Sequence, residues 1–225
     1  MRKQPRWVKV TYKSKTHGGR TYGRRYAKTA SYPPMQAMQK DLRAAFSGQM
    51  FDADQRVAYP TLVCELLGTK CPEPIINYVD NREDILKDCM DATGLTRDKV
   101  KPLYNIPLFA DEQWILPYWE TKHKTRIKEP YRTEFLAYMQ ACRKARSILL
   151  NAFPRFIEIA RYEKKTNIRG SALSYMLGTV EDVVTEDARV FFNRFPRYDP
   201  AVLIFDGLQV KVLKKMDESG IKQVY

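Results

Sequence analysis

Two apolar runs far apart in the chain, each ending on an acid, constrain the fold most. Gln49 to Asp54 has the character of a strand and carries an acidic pair, Asp52 and Asp54. Val202, Leu203, Ile204 and Phe205 lead into Asp206-Gly207, and Leu208, Val210 and Val212 return with period two, the signature of a hairpin closed by a tight type I′ turn. The chain between them is patterned for helix. Pro60 to Leu67 is an apolar helix stopped by Gly68, and Pro74 to Thr93 carries apolar side chains at helical spacing up to Gly94. Thr96 is placed to cap the next helix, and Pro102 interrupts it directly after Lys101. Tyr131 to Asn151, Arg155 to Lys165, and Ser171 to Phe192 with Ser171 as its cap complete the helical set. Residues 102 to 130 hold four prolines and two tryptophans and read as irregular. The expected class is therefore α+β and helix-rich, with an antiparallel sheet made by the strand at 49–54 and the hairpin at 201–213, packed against several helices.

Charge narrows the partners. Lys and Arg outnumber Asp and Glu by 39 to 26, a formal charge of +13, which favours polyanions. Much of the excess lies in a block from Arg2 to Lys28 that mixes Arg, Lys, Tyr and Gly, so the expected organisation is a basic N-terminal arm over 1–30 and one catalytic unit over 31–225. Trp7 to Tyr12 alternates like a strand, and Asp41 to Phe46 reads as a short helix ended by Gly48. No stretch approaches the roughly 20 apolar residues of a membrane span, and no signal-peptide core is present, so a soluble intracellular protein is expected, in host cytoplasm or nucleus if the source is viral. Cys64, Cys71, Cys89 and Cys142 show no CxxC spacing, which argues for reduced thiols and against a structural zinc site.

An aspartate at the end of an apolar strand is costly to desolvate unless it meets a metal, a cation or a donor. Asp206 also suits a plain Asp-Gly turn, and Asp52 and Asp54 also suit a solvated strand end. Together, in a basic protein, they fit a site in which carboxylates hold two Mg2+ or Mn2+ ions about 4 Å apart for nucleotidyl transfer.

The residues carry a resemblance. Tyr22-Gly23-Arg24, Pro34-Met35-Gln36, Leu42-Arg43-Ala44-Ala45-Phe46 and Phe51-Asp52-Ala53-Asp54 resemble, in order and spacing, the run in family A DNA polymerases from the TGR and LQN elements into motif A. The string Asp54 to Pro60 is also similar to motif A of family B enzymes. The resemblance implies a palm-like fold, with Asp54 as a catalytic metal ligand, Asp52 as a further metal ligand, and Tyr59 as the side chain that crowds the sugar 2′ position. Arg97 and Lys101, four apart, resemble the fingers residues that grip the triphosphate, although basic pairs at that spacing are common on exposed helices. Arg169-Gly170-Ser171-Ala172 resembles the segment before motif C. Phe205-Asp206-Gly207 stands where the family has His-Asp-Glu, so Asp206 is kept as catalytic acid and metal ligand and the second carboxylate is absent.

These readings imply a minimal DNA polymerase or primase-polymerase of the viral or mobile-element kind, without an exonuclease domain, acting on dNTP and a DNA or RNA template and primer. Arg20, Arg24, Arg25, Gln36 and Arg43 would contact the nucleic acid. The basic block interleaved with Trp7, Tyr12, Tyr22, Tyr26 and Tyr32 equally suits a non-enzymatic nucleic-acid-binding protein, and a degenerate palm without activity is a third reading.

Overall fold

The computed structural model describes residues 11–28, 50–110, 112–195, 197–204 and 207–212. Asp41 to Phe46, and Trp7 to Val10 of the alternating segment, lie outside them. The protein has an α+β fold in which helices predominate and the strands form small antiparallel sheets. It divides into two compact units: residues 1–55 with 179–225, and residues 56–178. Part of the basic block expected as an arm forms a hairpin on which Tyr22 and Ala27 are buried.

In the first unit that hairpin pairs β1 (Tyr12–His17) with β2 (Arg20–Ala27). Gly18 and Gly19 take positive φ at its turn, a conformation that costs glycine nothing. A second sheet has the order β3 (Met50–Asp54), β5 (Gly207–Val212), β4 (Tyr198–Ile204), all antiparallel. The first 49–54 strand and the 201–213 hairpin thus form one sheet, as their pattern suggested. Period two puts Phe51 and Ala53 of β3, Leu203 of β4, and Leu208 and Val210 of β5 into one core with Phe192 and Tyr198. The Leu203 N–H donates to the Tyr12 hydroxyl at 3.1 Å, and that hydroxyl is 3.5 Å from the Leu203 carbonyl. Tyr12 therefore satisfies backbone groups on the outer strand of the sheet, an edge that otherwise invites pairing with another chain.

The second unit is helical. It contains α1 (Ala58–Leu67), α2 (Glu73–Asp80), α3 (Arg82–Thr93), α4 (Arg97–Asn105), α5 (Glu112–His123), α6 (Tyr131–Ala152) and α7 (Arg155–Tyr162), and α8 (Ile168–Asn193) spans the division at Gly178. Its centre is aromatic: Tyr78 stacks on Tyr104 at 4.6 Å, and the Tyr138 hydroxyl donates to the Tyr104 carbonyl at 2.8 Å. All four cysteines are free, and burial pushes the Cys64 and Cys89 thiols up to about 12, which keeps them protonated and poor nucleophiles.

Three local expectations need correction. The span 74–93 is two helices broken at Asn81. The span 102–130 is largely helical: α4 continues through Pro102 to Asn105, and α5 contains Pro117. A proline inside a helix costs about 3 kcal/mol. Here Val100, Leu103 and Tyr104 of α4, and Ile115, Leu116 and Trp119 of α5, are buried, and each large apolar side chain buried returns about 1.5–3 kcal/mol. Burial therefore outweighs the breaker. Finally, α8 begins before Ser171. Asn167 caps it, its Oδ1 accepting from the Gly170 N–H at 2.9 Å while its Nδ2 donates to the Phe109 carbonyl at 2.7 Å.

Candidate functional site

The pairing of β3 with β5 has no irregularity: Asp52 faces Gln209, Ala53 faces Leu208, and Asp54 faces Gly207. Because alternate residues share a face, Asp52 and Asp54 both point away from the core, on the side that carries Gln209 and Gly207. Both aspartates are exposed. Asp206 lies outside the described residues, yet its neighbour Gly207 is the residue that pairs with Asp54. A Cβ added at Gly207 would collide with Asp54 Oδ1 and come within 2.7 Å of the Ala53 carbonyl. The sequence marked Gly207 as a turn residue. Its further role is to leave room for the Asp54 carboxylate to lie across the end of the sheet.

Gln209 was not singled out by the sequence. Its Nε2 donates to Asp52 Oδ1 at 3.0 Å, its side chain is 2 % exposed, and its Oε1 has no partner among the described residues. The signal was present in the period-two pattern: if Leu208 and Val210 face the core, Gln209 must share a face with the acids of a paired strand. The end of β3 is fastened by Gln55, whose Nε2 is 3.4 Å from Thr185 Oγ1 of α8.

The basic candidates divide sharply. Opposite Ser14 of β1, the register leaves Gly23, Arg24 and Arg25 as a bulge in β2, with Gly23 at φ 69°. This bulge turns both arginines onto α8. Arg24 makes a two-pronged ion pair with the fully buried Glu181, through Nε to Oε2 and through Nη2 to Oε1 at 2.7 Å. Arg25 Nε donates to Asp182 at 2.6 Å and its Nη2 reaches Glu186 at 3.1 Å; Arg189 also pairs with Glu186. Arg20 is exposed at the hairpin turn. Gln36 and Arg43 lie outside the described residues.

In the helical unit, Arg97 opens α4 and forks onto Glu83, with Nη2–Oε1 at 2.8 Å and Nε–Oε2 at 3.2 Å. That hydrogen bond holds the Glu83 carboxyl below its ordinary value and raises the Arg97 guanidinium. Lys101, one turn later, lines an open groove with Asp98, Asn105, Phe109 and Asn167. Tyr59 is half-buried and packs edge-on against Phe109, with ring centroids 5.3 Å apart. Tyr59 and Lys101 thus share Phe109 as a neighbour.

Among the described residues there is no group of three or more His, Cys, Asp or Glu poised to hold a metal, and no helix is long and apolar enough to cross a membrane. Comparison with protein-family models, with curated proteins and with solved structures finds no match to this chain.

Proposed function

We propose that the chain is a template-directed nucleotidyltransferase, a minimal polymerase or primase-polymerase that extends a nucleic-acid 3′ end with nucleoside triphosphates. The observation that carries this reading is the pairing of Asp54 with Gly207, because the residue that directly follows Asp206 in the chain is then the strand partner of Asp54.

The donor set suits a hard divalent cation. The carboxylates of Asp52 and Asp54 share one exposed face, and Gln209, paired with Asp52, carries on that face an Oε1 without a partner among the described residues. Asp54, Asp206 and Asp52 are the residues that would hold Mg2+ or Mn2+, which when bound acidify the attacking hydroxyl and neutralise charge on the transferred phosphate. The chain's own part is positioning. Gln209 fixes the orientation of Asp52 by donating to it, and the missing side chain at Gly207 leaves the Asp54 carboxylate its place. The family resemblance assigns the triphosphate to Arg97 and Lys101 and the sugar to Tyr59, all three carried by the helical unit. In the reaction the primer 3′ oxygen bonds the α-phosphate, the bond to the pyrophosphate leaving group breaks, and the hydroxyl proton passes to solvent.

Primer extension tests this. Purified protein with a labelled primed template, Mg2+ or Mn2+, and separate dNTP and NTP pools should give a ladder of extended products that EDTA abolishes. Tight binding to the primed template without extension under any combination would overturn it and leave a binding protein.

A further inference from the structure

The outer face of α5 carries two aromatic rings one turn apart, Trp114 at 68 % exposed and Tyr118 at 61 %. The opposite face of the same helix buries Ile115, Leu116 and Trp119, so α5 is anchored without them. Burying the outward rings would have been favourable, and large exposed aromatics in a row mark contact surfaces. Lys122, the next position on this face, holds its Nζ 5.7 Å from the Tyr118 ring centroid.

Beyond α5 the chain turns at Lys124, which takes a φ of 52°, and continues without regular secondary structure through Lys128. Lys124, Arg126 and Lys128 are exposed, and Ile127 between the last two is buried. The segment is held in place: the Thr125 N–H donates to the Glu120 carbonyl at 3.2 Å, and the Ile127 N–H donates to Glu120 Oε1 at 3.3 Å. Glu120 is in turn bound by Arg132 at 2.6 Å. The nearby Glu129 carboxylate is used within the chain, accepting from Thr133 Oγ1 at 2.8 Å. Lys122, Lys124, Arg126 and Lys128 form no ion pair with any described residue, in contrast to Arg24, Arg25, Arg97, Arg132 and Arg189. Alternate residues of any chain are at most about 7 Å apart, so these cations lie close enough together for a flexible strand to meet them phosphate by phosphate.

We propose that this surface, Trp114 and Tyr118 followed by Lys122, Lys124, Arg126 and Lys128, is a docking track for single-stranded DNA. Two bases stack on the rings and the backbone runs along the cations. Ring faces accept any base, and unpaired fixed cations match a polyanion, so the track is indifferent to sequence and sensitive to salt. A second copy of the chain is disfavoured because a two-fold contact would set this cationic row against itself. An anionic membrane is disfavoured because an inserting helix needs a broad apolar face, whereas two amphipathic rings are the only large exposed hydrophobics described on α5. The choice of DNA over RNA rests on the proposed function; the track itself does not.

Fluorescence anisotropy of a labelled oligo(dT) over a salt series tests it on the full chain, with circular dichroism to verify that each variant is folded. Trp114→Ala with Tyr118→Ala should weaken binding roughly tenfold or more at every salt concentration and leave the salt slope unchanged. Lys124→Gln, Arg126→Gln and Lys128→Gln together should lower the log-log salt slope by about 2, since each single-strand phosphate contact contributes about 0.7. Folded variants that bind like the wild type would overturn the proposal, as would tighter binding to phosphatidylserine vesicles than to oligo(dT), or self-association abolished by the aromatic pair. Tighter binding to oligo(U) than to oligo(dT) would overturn the choice of DNA. Wild-type protein that binds oligo(dT) as described but extends no primer would sink the nucleotidyltransferase reading alone and leave the track standing.

Discussion

Arg24 and Arg25 are adjacent in sequence, and in a regular strand they would point to opposite faces. The Gly23–Arg25 bulge sends both to α8, so charge that sequence alone assigns to a nucleic-acid partner is used within the fold. Arg24→Met should destabilise the protein by about 3 kcal/mol in urea unfolding, because Glu181 stays buried after losing its two-pronged partner. Adding Glu181→Leu should recover at least half of that loss, and no recovery would contradict the pairing. Glu186 gives a pH signature. Hydrogen bonds from Arg189 and then Arg25 hold its carboxyl below the ordinary 4.5. The gain from its ionisation is present above that ordinary value and is lost as pH falls through the lowered one. Glu186→Gln should therefore flatten the decline of the urea midpoint below pH 4.5, and an unchanged decline would show that the carboxylate contributes nothing. At Tyr59 the edge-on contact with Phe109 supports packing and the resemblance supports a sugar gate. As a gate, Tyr59→Ala should lower the dNTP over NTP ratio of kcat/KM by roughly one hundredfold; an unchanged ratio with a lower Tm assigns the ring to packing.

Elements differ in how much of their structure their sequence discloses. The β3–β5 pairing was legible because alternation and an Asp-Gly turn are local signals that fix faces, and faces fix register. Gln209 escaped notice because its partner Asp52 is remote in the chain, and its value is visible only after the strands are paired. Gly207→Ala should displace the Asp54 carboxylate, cutting incorporation at least about tenfold while the overpacking costs about 1–3 kcal/mol. Full activity in that variant would mean that the carboxylate has another place. By contrast, α4 and α5 were obscured by Pro102 and Pro117, since breaker signals are local while the burial that overrides them is tertiary. The exposed rings of α5 stand out only once Trp119 is seen to be buried and Trp114 is not.

For the whole molecule, a formal charge of +13 does not mean thirteen available cations. The described ion pairs occupy Arg24, Arg25, Arg82, Arg97, Arg132 and Arg189, leaving the 122–128 row as a concentrated charge held on a fixed backbone. The class of fold followed from pattern, and the proposal of a polyanionic partner comes from composition. The division into two units did not, because a chain that leaves one unit at Gln55 and returns at Thr179 carries no compositional mark of either crossing. The central claim is that Asp54 and Asp206 serve one nucleotidyl-transfer site. Steady-state incorporation and template affinity, measured side by side for the wild type, Asp54→Asn, Asp206→Asn and Asp52→Asn, test it most directly. The account predicts that the first two variants lose incorporation while binding primed template as well as the wild type or slightly better, one negative charge having been removed beside a polyanion, and that Asp52→Asn is milder. Incorporation that survives in either Asp54→Asn or Asp206→Asn would contradict it.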